Sequence, residues 1–232
     1  RKLRILFLLI IQVAFFFFFL QAQPYIRYNS FSYNVNEGML QSTIANIAFD
    51  NNNFCWISYP NGIQKFDGKN FITIPLQEGL PNDKHCLFFN SKDGTLYISH
   101  GEGISRYDIK KNKFSHIWKT QPHTRLPARF LGEDDGIIYI YTQQANIIGI
   151  SSNDYKVVSS HRTGFPDYSD FPDTYPRISS TLFNHKIAFI HNNSICTWDL
   201  RKGALSFKSD PIENISLYMV QMKSEYEVLF YT

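Results

Sequence analysis

Cysteine is scarce in this chain: Cys55, Cys86 and Cys196 are the whole complement of 232 residues. An odd number at such wide spacing excludes a small disulfide-framed fold and offers no metal-site spacing. The three are expected as free thiols in or beside strands, where cysteine packs as a small hydrophobe. Net charge is small as well. Against 23 Lys and Arg stand 20 Asp and Glu, a balance of +3 with no basic stripe, so no nucleic-acid groove is expected. Catalytic signatures are missing too. There is no HExxH, P-loop or nucleophile elbow, and Gly101-Glu102-Gly103-Ile104-Ser105 reads as a turn entering a strand. No catalytic residue, metal or cofactor is expected, and no helix-length pattern is present. The short apolar runs are instead strand-like, with an aromatic content of 16%.

What the chain has is a repeat. Glu37-Gly38-Met39 returns as Glu78-Gly79-Leu80, Trp56-Ile57 as Tyr97-Ile98, and Asn61-Gly62-Ile63 as Glu102-Gly103-Ile104. Phe66-Asp67 returns as Tyr107-Asp108, and the interval is 41 residues each time. A third copy follows 42 residues on, at Asp135-Gly136-Ile137-Ile138-Tyr139-Ile140. A fourth lies at Ile187-Ala188-Phe189-Ile190, and the second strand of a fifth at residues 225–232. A period in this range built of strands is how one blade of a β-propeller looks in sequence. The first unit divides into strands near 44–49, 54–58, 62–66 and 70–74, parted by Asn-, Asp-, Gly- and Pro-rich turns. The fold class expected is therefore all-β, a propeller of four-stranded blades. Its repeats run about 31–75, 76–118, 119–160, 177–209 and 210–232, the last incomplete. Ending inside a predicted strand points to a piece of a longer propeller. Trp56, Tyr97, Tyr139 and Phe189 are assigned to one place in the second strand, packed between blades. Glu133-Asp134-Asp135-Gly136 falls at the turn between a blade's first two strands and lacks the ligand alternation of a Ca²⁺ loop.

Residues 1–22 are a separate object. Arg1, Lys2 and Arg4 precede an apolar run from Ile5 to Leu20 broken only by Gln12, then Gln21-Ala22-Gln23-Pro24. That order describes a secretory signal peptide cleaved after Ala22, with an uncleaved N-terminal anchor as the alternative. Residues 23–232 would then be a periplasmic or otherwise extracytoplasmic partial propeller.

The motif Glu-Gly-Leu, strand, Asp, aromatic-Ile, Asn-Gly-Ile, Phe-Asp-Gly resembles the two-component regulator propeller repeat. It is carried best by Glu37-Gly38-Met39, Asp50, Trp56-Ile57, Asn61-Gly62-Ile63 and Phe66-Asp67-Gly68. A second copy is Glu78-Gly79-Leu80, Asp93-Gly94, Tyr97-Ile98, Gly103-Ile104 and Tyr107-Asp108. The resemblance covers residues 31–118 and weakens afterwards, where Asn146-Ile147 and Ser194-Ile195 replace Gly-Ile. It implies an extracytoplasmic sensor propeller, commonly seven-bladed, in chains that abound in Bacteroidetes-like bacteria. It also implies a following β-sandwich, a membrane helix and a cytoplasmic histidine kinase as partners in the parent chain. A homodimer of that parent is a further expectation. Two other readings stay open: a secreted carbohydrate-binding or hydrolytic propeller, and a structural interaction propeller on the cell surface.

In a four-strand meander the loops alternate between the two ends of each blade. Residues 76–82, 59–61, 100–102, 142–145 and 191–193 should share one face, and 50–53, 67–70, 133–136 and 199–203 the other. The link 161–177 is the longest and carries three prolines, four aromatics and several carboxylates. Phe165, Tyr168, Phe171, Tyr175 and Arg177 are its candidate ligand contacts, joined by Tyr59, Asn61, His100, Glu102, Gln143 and Asn192 from the same face. Aromatic faces beside hydrogen-bonding groups suit sugar rings, so the ligand class suggested is an extracellular glycan. The competing role for the link is to cover an apolar edge between two divergent blades.

Overall fold

A computed structural model describes residues 30–120, 126–164, 177–191, 194–212, 219–222 and 228–231. The chain divides into Arg1–Tyr33 and Asn34–Thr232. Of the first unit only 30–33 are described, and they form no helix or strand. The second unit is built of antiparallel meanders. Blade 1 comprises β1 (Asn46–Phe49), β2 (Cys55–Tyr59), β3 (Gly62–Phe66) and β4 (Phe71–Ile74). Blade 2 comprises β5 (Leu87–Asn90), β6 (Leu96–His100), β7 (Gly103–Asp108) and β8 (Lys113–Lys119). Blade 3 runs through β9 (Arg129–Asp134), β10 (Ile137–Tyr141), β11 (Asn146–Ser151) and β12 (Val157–Arg162). Blade 4 runs through β13 (Arg177–Phe183), β14 (Lys186–His191), β15 (Ser194–Asp199) and β16 (Ala204–Lys208). β17 (Met219–Met222) and β18 (Val228–Tyr231) pair as the described part of a fifth sheet. In each four-stranded sheet the strands follow chain order.

The core lies between blades, because a strand sends alternate side chains to opposite faces. Trp56 and Ile63 leave blade 1 to meet Leu96, Ile98, Tyr107 and Phe114 of blade 2. Tyr97 and Ile104 leave blade 2 to meet Phe130, Ile138, Ile140 and Ile150 of blade 3. Tyr139, Tyr141 and Ile147 leave blade 3 to meet Ile187, Phe189, Cys196 and Trp198 of blade 4. One rule generates all three interfaces. Blades 1, 2 and 3 each give an aromatic from the second strand to the blade that follows.

Phe189 corrects the fourth repeat. Tyr59 pairs with Gly62, His100 with Gly103 and His191 with Ser194 at the hairpin between second and third strands. Counting back three residues from that hairpin gives Trp56, Tyr97 and, in blade 4, Ala188. Phe189 is one residue further on, so it faces blade 3, where it is the counterpart of Ile98 and Ile140. It does pack between blades, but on the receiving side. A one-residue shift in a strand reverses the face, and the aromatic identity of Phe189 concealed the shift.

The Glu-Gly-hydrophobe motif has a mechanical meaning. Leu80 and Met39 are both buried plugs, each lying in the link ahead of a blade's first strand. Gly79 lets the link run across the fourth strand of blade 2. Its φ is +85°, and a Cβ there would stand 2.3 Å from the Phe114 carbonyl oxygen. Gly103 is tighter still, with a φ of +140° and a Cβ position 1.9 Å from the Trp118 carbonyl oxygen. Gly103→Ala therefore forces β7 away from β8. We expect a loss of about 2 kcal/mol or more, read as a lower urea midpoint. An unchanged midpoint would contradict the geometry.

The first turn of blade 1 is fixed by Asp50. One carboxylate oxygen accepts from the Asn52 and Phe54 amides at 2.9 and 3.1 Å, and the other accepts from the Trp56 indole at 2.9 Å. Lys65 sits 3.7 Å from that same oxygen and 3.9 Å above the Phe54 ring. In blade 2 Ser91 and Asp93 share the task, both accepting from the Thr95 amide. Tyr97 replaces the indole there, so no buried carboxylate is required.

Candidate functional site

The two ends of the blades separate as the meander demands. β3 spans the distance between the turn after Tyr59 and the turn at Asp67, which places those turns at opposite ends of the blade. On one face, hairpins between second and third strands meet the links between blades. The Gly62 amide donates to the Asp83 carbonyl at 3.2 Å, and the Thr163 amide to the Ala145 carbonyl at 3.0 Å. The Leu126 amide reaches the Gln143 side-chain oxygen at 3.4 Å. On the other face, first turns clasp one another. The Asn90 side-chain amide donates to the Phe49 carbonyl, and the Lys92 amide to the Glu133 carboxylate at 2.7 Å.

Of the candidate contacts, Asn61 and Glu102 are exposed at hairpin tips. Tyr59 is fully buried, and its hydroxyl donates to the Gln64 side-chain oxygen at 2.8 Å. Burial pushes its phenol up from the ordinary range. His100 is buried, with Nε2 2.8 Å from the Ser105 hydroxyl and Nδ1 accepting from the Glu102 amide at 3.3 Å. Burial, and then the neighbouring His116, pull its pKa down to about 3. It is a neutral internal imidazole, not a cationic ligand contact. Gln143 is buried at its hairpin and shapes the link before blade 3. Arg177 opens β13 opposite Ile190. Phe165, Tyr168, Phe171, Tyr175 and Asn192 lie outside the described residues.

The opposite face holds two features that the repeat reading passed over. A groove of about 230 Å³ lies beside the first turns of blades 1 and 2, lined by Asn51, Asp93, Thr95, Arg106, Tyr107 and Lys110 among others. It is smaller than the usual range for drug-sized ligands. The second feature is the group Asp134, Asp135 and His185, which could hold a metal ion. His185 Nδ1 touches the Asp134 carboxylate and stands 3.9 Å from that of Asp135, while Arg201 touches its Nε2. The cluster thus already contains a positive charge, and it joins the first turns of blades 3 and 4. Laying the two turns over each other in the repeat would have brought His185 to Asp134. A search for a contiguous Ca²⁺ loop could not.

Cys86 and Cys196 are fully buried free thiols, while Cys55 is partly exposed. Burial pushes Cys86 up, and Cys196 up to about 11, so neither offers a thiolate at neutral pH.

No family model matches this sequence, and no curated protein matches it. Solved structures do. One is the extracellular domain of a protein described as a hybrid two-component system of B. thetaiotaomicron, at 15% identity and a TM-score of 0.57. The match covers 81% of this chain and 27% of that one. A second B. thetaiotaomicron extracellular domain, described as that of a one-component system, matches at 16% identity and a TM-score of 0.57. That match covers 78% of this chain and 27% of the other. The WD40 β-propeller domain of Doa1 matches at 11% identity and a TM-score of 0.53, over 79% of this chain and 58% of that domain. At these identities the likeness establishes the fold. This chain is a β-propeller arc of four-stranded blades, spanning about a quarter of the length of the extracellular domains it resembles.

Proposed function

We propose that this chain is the ligand-sensing, extracytoplasmic input region of a membrane-bound two-component regulator, with an oligosaccharide as its ligand. The observation that carries the reading is the repeat itself. Its buried plug after Glu-Gly, second-strand aromatic and third-strand Gly-Ile each occupy a defined mechanical place in blades 1 and 2. The extracellular sensor-system domains among the similar structures support the reading, as does the Arg/Lys-led apolar segment at residues 1–22. A rigid scaffold carrying one long aromatic link suits recognition better than chemistry. The sensing face is assigned to the side holding Asn61, Glu102 and the 161–177 link.

A panel of polysaccharide-derived oligosaccharides, screened by thermal shift and then calorimetry, tests this. A ligand at 100 times its Kd should add about 2.7 kcal/mol to unfolding. Tyr168→Ala and Tyr175→Ala should each weaken that ligand at least tenfold while the melting curve without ligand stays put. Release of shortened sugars during the screen would favour a hydrolytic propeller instead. A flat response across the panel, or variants that bind as well as the parent, would remove the assignment to this link.

A further inference from the structure

The third strands of blades 1 and 2 carry a cation at the same place, Lys65 and, one repeat on, Arg106. In blade 1 that cation is answered from within. Asp50 stands 3.7 Å from the Lys65 ammonium, and the Phe54 ring centroid lies 3.9 Å from it. In blade 2 the place of Asp50 is taken by Ser91, whose amide donates to the Thr95 carbonyl as that of Asp50 does to Phe54. Blade 2 thus keeps the cation and lacks that carboxylate. Arg106 Nη1 donates to the Tyr155 hydroxyl at 2.6 Å, and the guanidinium carbon lies 5.1 Å from the Tyr155 ring centroid. Nη2 is 4.0 Å from the Asp108 carboxylate, the outer limit of an ion pair. Nε is buried and finds no hydrogen-bond partner among the described residues. A buried donor on a charged group is costly to leave unpaired.

Arg106 lines the groove of about 230 Å³ together with Asn51, Asp93, Thr95, Asp108 and Lys110. Two cations and two carboxylates therefore share one small cleft. Both carboxylates are held below the usual range, Asp93 by the Ser91 hydroxyl and the Thr95 amide, Asp108 chiefly by the Lys111 amide. We propose that this groove binds a free α-amino acid, its carboxylate on Arg106 and its ammonium against Asp93 and Asp108. Tyr155 takes Nη1 and leaves Nε and Nη2, the pair of donors that engages a carboxylate side-on. A simple carboxylate would bring a third anion to Asp93 and Asp108, and a simple amine would leave Nε unanswered. A zwitterion meets both signs at once. The groove is too small for a drug-sized ligand, and a single amino acid suits its scale. Its ligand and its end of the blades both differ from those of the oligosaccharide reading, so the inference stands apart from that one.

Thermal shift with each standard amino acid at millimolar concentration, followed by calorimetry on those that raise the midpoint, tests the site. At least one amino acid should bind. Its N-acetyl and its carboxamide forms keep the side chain and each remove one charge. Each should bind about tenfold more weakly or worse, the loss expected for one charge-assisted hydrogen bond. Arg106→Gln and Asp93→Asn should weaken the free amino acid by a similar factor. Asp93→Asn retains an oxygen to accept the Thr95 amide, so the turn is kept. Should Arg106→Gln unfold through loss of the Tyr155 contact, Asp93→Asn and the capped amino acids decide. Binding by none of the amino acids would overturn the proposal and leave Arg106 as a structural link to Tyr155. Acetate or glucuronate binding as tightly as the best amino acid would overturn it too, since the groove would then read a carboxylate alone. Unchanged affinity in both variants, each with a native melting curve, would place the bound amino acid elsewhere and overturn it equally.

Discussion

Truncating Trp56 to alanine is expected to destabilise the protein by about 3–5 kcal/mol, the usual cost of deleting a buried aromatic. For a chain of this size that is a fall of roughly 10 °C in melting temperature. The ring is fully buried between blades 1 and 2 and is held edge-on by Tyr107 and Phe114. Its removal empties the middle of one interface, and neighbouring side chains held by two separate sheets have little freedom to collapse into the space. A polar penalty adds to the cavity. Asp50 keeps its indole partner only while Trp56 is present, and the other charge beside that oxygen is Lys65 at 3.7 Å. Trp56→Phe separates the contributions, because it retains most of the packing and removes the N–H. It should cost about 1–3 kcal/mol, the penalty of leaving a buried acceptor short of a donor. Phe207→Ala, at an exposed position on an outer strand, serves as control and should cost under 1 kcal/mol. Urea denaturation at matched m-values reads all three. A midpoint for Trp56→Ala equal to that of Phe207→Ala would contradict the interface described above.

The blade pattern was legible because its determinants are local. Turn formers at Asp50, Asn61 and Asp67, with β-branched and aromatic runs between them, placed the strands of blade 1 within two residues of where they lie. The alternation of loops between two faces followed from the meander alone. Phe189 was misplaced because an aromatic was sought where the structure puts Ala188, and identity carried more weight than the count from the hairpin. Candidate ligand contacts were harder for a different reason. Tyr59, His100 and Gln143 stand at hairpins on the chosen face, yet a strand end can turn its side chain inward. Tyr59 and His100 do so, each bonding to a polar partner on the adjacent third strand, Gln64 or Ser105. Sequence shows which end of a blade a residue occupies, but not which way the last side chain of a strand is turned. The groove beside Arg106 and the Asp134–His185 contact eluded motif searching for a related reason. Both are assembled from neighbouring repeats, so no contiguous stretch encodes them.

The buried imidazole of His100 makes stability depend on pH in a defined window. Its pKa in the folded protein is pulled down to about 3, whereas an exposed histidine titrates near 6.5. Below about pH 6.5 the unfolded chain takes up a proton that the folded chain refuses. Stability from this group is thus fully present above 6.5, falls as pH drops, and stops falling near pH 3. At pH 5 the loss is about 2 kcal/mol, from 1.5 pH units at 1.36 kcal/mol each. His116 acts in the same direction, since burial and then Lys119 lower its pKa as well. Asp93 acts later. Its carboxyl is held below the usual range by the Ser91 hydroxyl and the Thr95 amide, so its contribution is lost only as pH falls past about 4. The interval from pH 6.5 to 4.5 therefore isolates the histidines. His100→Gln keeps a hydrogen-bonding side chain near Ser105 and removes the titration. The variant should be less stable at pH 7.5 but lose about 2 kcal/mol less than the parent on going to pH 5, measured by urea midpoints at both values. Parallel pH profiles for parent and variant would mean that His100 takes up its proton in the folded state, and so is not the enclosed neutral ring seen between Ser105 and His116.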